Sequence, residues 1–428
     1  MPEFTQSEAL LDRALTTIPL GSQTFSKSLT QYPRGVSPFF IERGRGARVW
    51  DADGNEYVDM IMGLCAVTLG YGDARVDAAV RAQLDDGVIF SLPHRVEMEV
   101  AERIVAMVPC AEKVRFGKNG SDATSGAIRI ARAFTGRDRV AVCGYHGWQD
   151  WYIGSTARNR GVPEATRALT HTFAFNDADS LADLLARHPG EFAAIILEPM
   201  NVTYPTPEFL GAVRDLATDS GAVLVFDETI TGFRFANGGA QEMFGVTPDL
   251  ATFGKGLANG FPVSAVTGRA DIMQMMEEVF FSFTFGGETL SLAAAKATLD
   301  VLAGGPVLTD LRATGETLIA RVNALIERHA LGHMLSVSGD PTWSFLLFTD
   351  TARYSQWQLK TLFMQEVFAR GVLAYGTHNL SAAHGPAEID RLEAAYDGAF
   401  AALAEADSAG TLDRMLKCRP LEPLFKVR

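Results

Sequence analysis

The chain has 428 residues, a formal net charge of −13, and 21% charged against 47% hydrophobic residues. That acidity repels nucleic acid and anionic membrane surfaces over most of the molecule, while leaving room for a small anionic ligand held locally. The length exceeds the usual single domain and implies a large unit plus a smaller one. MPEFTQSEALLDRALTTIPLG has neither a basic start nor an apolar run, and no stretch is long and apolar enough to span a bilayer, so a cytoplasmic location is expected. Cys65, Cys110, Cys143 and Cys418 lack CxxC spacing and read as reduced core thiols rather than disulfides or zinc ligands.

In chain order, Arg48 to Met62 alternates apolar and polar residues around Asp53-Gly54, a hairpin signal. Helical spacing follows at Val76 to Leu84 and Val96 to Val108. Then come the β-branched runs KVRFG, RVAVCGY, FAAIILEP and AVLVFDE, separated by helical Ser125 to Phe134 and Pro207 to Ser220. Strands alternating with helices predict a mostly parallel sheet. Helices at Leu290 to Leu302, Leu308 to His329 and Ser355 to Arg370, with strand-like WSFLLFTD and GVLAY, predict a smaller α+β domain at the C-terminal end.

Open parallel sheets bind ligands beyond the carboxyl ends of their strands. Candidate residues fall at such ends. AVLVFDET carries Asp227 and Glu228 out of an apolar run; a buried carboxylate needs a cation or several donors, and a loop-capping acid is the alternative. Lys255 lies between glycines in ATFGKGLANGFP. A desolvated lysine is a nucleophile, a solvated one only a loop residue. In GKNGSDATSG, Gly120 and Ser121 open a helix whose N-terminus suits a phosphate, or merely a cap. Tyr145 offers a ring face or core packing, and Thr284 in FSFTFGGET a hydroxyl for a phosphate or a turn.

Taken together these residues describe one ligand: phosphate at Gly120 and Ser121, a flat ring at Tyr145, a protonated ring nitrogen facing Asp227 and an aldehyde meeting Lys255. That ligand is pyridoxal 5'-phosphate, whose ring accepts electrons from a carbanion.

NGSDA, YHGW, DETITGFR, FGKG and TFGG resemble the signatures of class III aminotransferases and glutamate-1-semialdehyde aminomutase, over roughly residues 20 to 405. The resemblance implies an α/β, fold type I architecture with a mostly parallel central sheet. An N-terminal segment (1–60) would pack with a C-terminal small domain (306–428), flanking a large cofactor-binding domain (61–305). It implies that Lys255 condenses with the cofactor's aldehyde and shuttles the substrate proton, that Asp227 pairs with the pyridine nitrogen, and that Gly120 and Ser121 hold the phosphate. Tyr145 would stack on the ring, Glu198 would lie near it as a supporting acid, and Thr284 would complete the phosphate site of a neighbouring subunit in a homodimer.

The expected reaction passes an amino group, from glutamate or alanine, to an aldehyde or ketone in sugar, polysaccharide or natural-product chemistry. SQTFSKS and the Trp- and Arg-containing YHGWQDWYIGSTARNRGVP are similar to aminotransferase-type relatives. GTHNLSAAH replaces an acidic pattern of the aminomutase. Glutamate-1-semialdehyde 2,1-aminomutase is the alternative enzyme; a non-catalytic fold relative is the alternative of another class, disfavoured by the presence of both Asp227 and Lys255. Arg34, Arg158 and Arg234 are candidate carboxylate binders, each also read as a solvated surface arginine.

Overall fold

Seven strands within Ala74–Leu308 form one sheet in the computed structural model, which describes residues 3–422. Their order is Lys113–Gly117, Ser264–Gly268, Leu250–Phe253, Val223–Asp227, Phe192–Leu197, Arg139–Cys143, Thr170–Thr172. From Leu250–Phe253 to Thr170–Thr172 all pairing is parallel, whereas Ser264–Gly268 runs antiparallel to both its neighbours. Two reversals cancel, so Lys113–Gly117 points the same way as the parallel strands. Every strand except Ser264–Gly268 therefore delivers its carboxyl end to one edge.

The sequence explains the central strands. FAAIIL and VLVFD are buried at every position, as expected of strands covered on both faces. Alternate side chains separate cleanly: Ile196 and Val225 pack with Ala127 and Ile130, while Ile195, Leu224 and Phe226 pack with Leu181, Phe209 and Val213. Phe226→Ala would cost about 3–5 kcal/mol by leaving a cavity in that second layer. SAVTG of Ser264–Gly268 carries no strong apolar run and is absent from the sequence-based expectation. Its burial comes from its place between two other strands.

The helix Gly120–Thr135 starts at Asn119, whose N–H donates to Asp122 Oδ2 at 2.8 Å, and stops at Gly136 in the left-handed conformation. Gly221 ends Phe209–Ser220 in the same way. The Asn119 and Gly136 caps set the helix that begins at the ligand edge.

The other unit runs to Asp73 and resumes at Thr309. Its first sheet has the order Ile41–Arg45, Arg48–Asp51, Glu56–Asp59, Val372–Leu373, antiparallel except for the last pair. The Asp53-Gly54 turn is present, with Gly54 at φ 87°. A second, antiparallel sheet contains Leu335–Asp340, Trp343–Phe348 and Thr377–Asn379. Helices Gln356–Ala369 and Pro386–Ala409 bring Phe363, Phe368, Tyr396 and Phe400 into its core. Cys65, Cys110 and Cys143 are buried, but Cys418 is only half-buried, because it follows the last helix Leu412–Met415 rather than lying within packed structure. Among the described residues no helix is long and apolar enough to cross a membrane.

Candidate active site

A cavity of about 200 Å³ at the carboxyl edge of the seven-stranded sheet is lined by Gly120, Ser121, Tyr145, Glu198, Asp227 and Lys255. These residues come from five separate connections, and parallel strand direction is what gathers them. A larger cavity of about 860 Å³ shares Glu198 but touches neither Asp227 nor Lys255, so size alone does not locate the chemistry.

Asp227 ends its strand nearly fully buried. Its Oδ1 accepts from the Thr229 N–H at 3.1 Å and from Thr252 Oγ1 at 3.2 Å, on the adjacent strand. Oδ2 lies 2.9 Å from His146 Nδ1. Burial opposes ionisation, but the His146 and Thr229 interactions outweigh it and hold the carboxyl below the ordinary aspartate value. Asp227 is thus a fixed negative charge on the cavity wall. No ion pair joins it to Lys255 among the described residues.

His146 is the residue that sequence reasoning missed. YHGW carries part of the family resemblance, but nothing local in the motif gives its histidine a role. The imidazole is buried, parallel to Trp151 with ring centroids 6.5 Å apart and edge-on to Tyr152 at 5.2 Å. Its Nε2 has no hydrogen-bond partner. With Asp227 ionised, Nδ1 is the donor, and the rings fix its direction.

Lys255 follows the Leu250–Phe253 strand and adopts φ 43°, in the left-handed region where a side chain is disfavoured. Such backbone strain persists where surrounding structure over-determines it. Here, two residues past the end of a buried strand, the chain turns so that Lys255 lines the cavity.

Opposite, the helix Gly120–Thr135 presents first-turn N–H groups that lack intrahelical acceptors. A Cβ added at Gly120 would lie 3.2 Å from Thr229 Cγ2 and narrow this cradle. Ser121 is buried, and its Oγ accepts from the Trp148 N–H at 3.3 Å. Gly147, at φ 104°, is required twice: a Cβ there would also come within 2.2 Å of Ser121 Oγ.

Glu198 accepts from the Tyr145 N–H at 2.8 Å and from Asn201 Nδ2 at 2.9 Å. It therefore aims the Tyr145 loop. Tyr145 is 45% exposed, and its ring meets Tyr152 edge-on at 5.7 Å. Burial, with Asp227 and Glu198 nearby, pushes its phenol above the ordinary value.

Thr284 is exposed and does not line this cavity in its own chain. Arg34 lies at the surface against Glu8 and Asp12, and Arg158 is exposed. Arg234 corrects the solvated reading: it is 1% exposed, because the segment Thr231–Phe235 folds inward and packs Phe233 on Phe253 at 5.0 Å.

The residues fit pyridoxal phosphate: an anion cradle, a ring face, a buried carboxylate and an amine share one cavity of small-molecule dimensions. Residues 31–380 match the family described as Aminotransferase class-III. The chain belongs to the class III aminotransferases. Over 385 residues the aminotransferase is 33% identical to the 3-aminobutyryl-CoA aminotransferase of Cloacimonas acidaminovorans, covering 88% of this chain and 92% of that one. The FumI protein of a Sphingopyxis species, solved in its PLP internal aldimine form, superposes with TM-score 0.89 at 31% identity, covering 97% of this chain and 99% of that one. An omega-transaminase from Sphaerobacter thermophilus gives TM-score 0.84 at 28% identity, covering 93% and 98%.

The aminotransferase is pyridoxal-phosphate-dependent and has the fold type I architecture. It transfers an amino group between a small-molecule donor and a carbonyl acceptor.

Proposed function

We propose that the enzyme takes an amino group from glutamate or alanine and passes it to an aldehyde or ketone whose carbonyl is not next to a free carboxylate. The single observation carrying the site assignment is the placement of Asp227, Lys255 and a helix N-terminus around one cavity. Two features support the acceptor class. No arginine lines that cavity among the described residues, and the named relatives act on 3-aminobutyryl-CoA or carry the name omega-transaminase. Sugar-derived and natural-product ketones remain within this class.

Bound pyridoxal phosphate supplies an electron sink for charge developing on the carbon that bears the amino group. Asp227 would hold a proton at the ring nitrogen, and His146 and Thr229 keep that carboxylate ionised and oriented. Gly120 and Ser121 would hold the phosphate, and Tyr145, positioned through Glu198, would cover a ring face. The Lys255 amine would be the group that holds the cofactor covalently and that would carry the proton at the substrate carbon. Thr284 reaches the phosphate cradle of a second copy in a homodimer; its exposure beside exposed Phe280, Phe283 and Phe285 supports that reading.

A donor screen tests the reading. Purified holoenzyme is mixed with single amino donors while the cofactor's visible absorption band is followed, then keto acids and aldehydes are added and products identified. Loss of the band with glutamate or alanine, and its return with a released amine product, is expected. Turnover of glutamate semialdehyde alone would make the enzyme an aminomutase and sink the proposal.

A further inference from the structure

Residues 280–288 carry Thr284 and lie against the strand and helix that form the phosphate cradle. At the start of this loop, Arg129 of the helix Gly120–Thr135 donates from Nη1 to the Phe280 carbonyl at 2.9 Å, and Arg115 of the strand Lys113–Gly117 donates from Nη2 to the Phe281 carbonyl at 3.3 Å. The Phe281 ring covers the same helix at Gly126, where an added Cβ would come within 2.9 Å of its Cε2. At the end of the loop, Lys118 Nζ donates to Glu288 Oε2 at 2.9 Å. Lys118 stands two residues before Gly120, so this ion pair ties the turn that enters the cradle to the residue that closes the Thr284 loop. Between these anchors, Phe283, Thr284 and Phe285 are exposed.

The pair joins two helix N-termini. Glu288 caps the helix Thr289–Gly304, its Oε1 accepting from the Leu290 N–H at 2.8 Å and its Oε2 from the Ser291 N–H at 3.2 Å. The Lys118 N–H donates to Asp122 Oδ2 at 3.0 Å, within the cap of the cradle helix. One lysine thus has its backbone in one cap and its ammonium group in the other. Both side chains of the pair are mostly buried, 17% and 13% exposed, so separating them would leave a charge poorly solvated. Burial opposes ionisation of Glu288, but Ser291 and Lys118 outweigh it and hold the carboxyl below the ordinary glutamate value. The Glu288 cap needs no lysine, and Lys118 does not line the 200 Å³ cavity. What the ion pair adds is the placement of one loop relative to the other.

We propose that Lys118 and Glu288 are positioning residues for the cofactor's phosphate. They fix the Thr284 loop against the cradle turn, so that the hydroxyl lent to a second copy is held ready and little ordering remains to be done when the phosphate arrives. The inference rests on the reading that Thr284 serves the cradle of a second copy.

Enzyme stripped of cofactor and titrated with pyridoxal 5'-phosphate or with pyridoxal, followed by the visible absorption band, tests it. Lys118→Met should weaken the phosphate ester about tenfold, the effect of misplacing one hydrogen bond to a charged group, and leave pyridoxal unchanged. Lys118→Arg should restore the affinity to within about twofold. Glu288→Gln, which keeps an acceptor for the Leu290 N–H, should reproduce the Lys118→Met pattern with the lysine untouched. In a Thr284→Ala background Lys118→Met should add no further loss, because the hydroxyl it positions is already gone. Equal weakening of both ligands, unchanged affinity in Lys118→Met, or an undiminished further loss in the Thr284→Ala background would overturn the proposal. Full affinity of Thr284→Ala for the phosphate ester would instead sink the reading of Thr284, and the inference with it.

Discussion

Asp227 and Glu228 are adjacent in sequence and both buried, yet their surroundings divide them. Asp227 faces a cavity, and His146 with Thr229 holds its carboxyl low against the cost of burial. Glu228 faces the protein interior, where the N–H groups of Ala240 and Gln241 reach it at 2.8 and 2.9 Å and the Thr231 hydroxyl also donates. Burial dominates there and pushes its carboxyl above the ordinary glutamate value. One acid presents a charge to a cavity, and the other ties a loop to a strand. Burial by itself therefore does not identify a catalytic carboxylate; the partner on its far side does.

The sharpest break of this contrast comes from the amine across the cavity. Lys255→Ala should lower turnover by about 10⁴-fold while leaving the fold intact, since on the proposed reading both nucleophile and proton carrier would be lost; single-turnover kinetics and circular dichroism check it. Asp227→Asn should follow with about 10²–10³-fold, the range for removing one fixed electrostatic group from an active site. His146→Gln should cost less, about tenfold, by loosening Asp227 without removing it. It should also shift the pH at which the bound cofactor's visible band changes.

Glu228→Gln should do the reverse of Asp227→Asn. It should destabilise the fold by about 1–3 kcal/mol, because a side-chain amide then opposes a backbone N–H, yet leave the cofactor band in place. Denaturant midpoints and absorption spectra separate the two variants.

The smallest expected effect is a difference in pH slope. Asp227 titrates lower in the folded chain than in the unfolded one, so its contribution to stability is full above about pH 4 and is lost as pH falls through the folded value. Glu228 titrates higher when folded, so its contribution is full below about pH 4 and is lost as pH rises through the folded value. On acidification, the penalty of Asp227→Asn should shrink and that of Glu228→Gln should grow. Parallel slopes in thermal melts would remove the distinction between the two acids.

Much of the site was legible because its residues interrupt strong local patterns. Asp227 ends an all-apolar strand, Lys255 stands between glycines, and Gly120-Ser121 opens an amphipathic helix. Each is an anomaly visible within a few residues. His146 carried no such mark: its importance lies in a contact with a carboxylate 81 positions away. Arg234 read as a surface residue because nothing local announces that Thr231–Phe235 turns inward. The strand Ser264–Gly268 was equally hidden, since its small side chains are buried by neighbours rather than by their own hydrophobicity.

The sequence by itself determined the alternation of strands and helices, the acid and the amine, and hence the cofactor, because periodicity and glycine placement are local properties of the chain. Only the tertiary structure decided which acid faces the cavity, which histidine supports it and which arginine is buried. Those outcomes depend on the direction of parallel strands and on contacts between distant segments, and no short stretch of sequence encodes them.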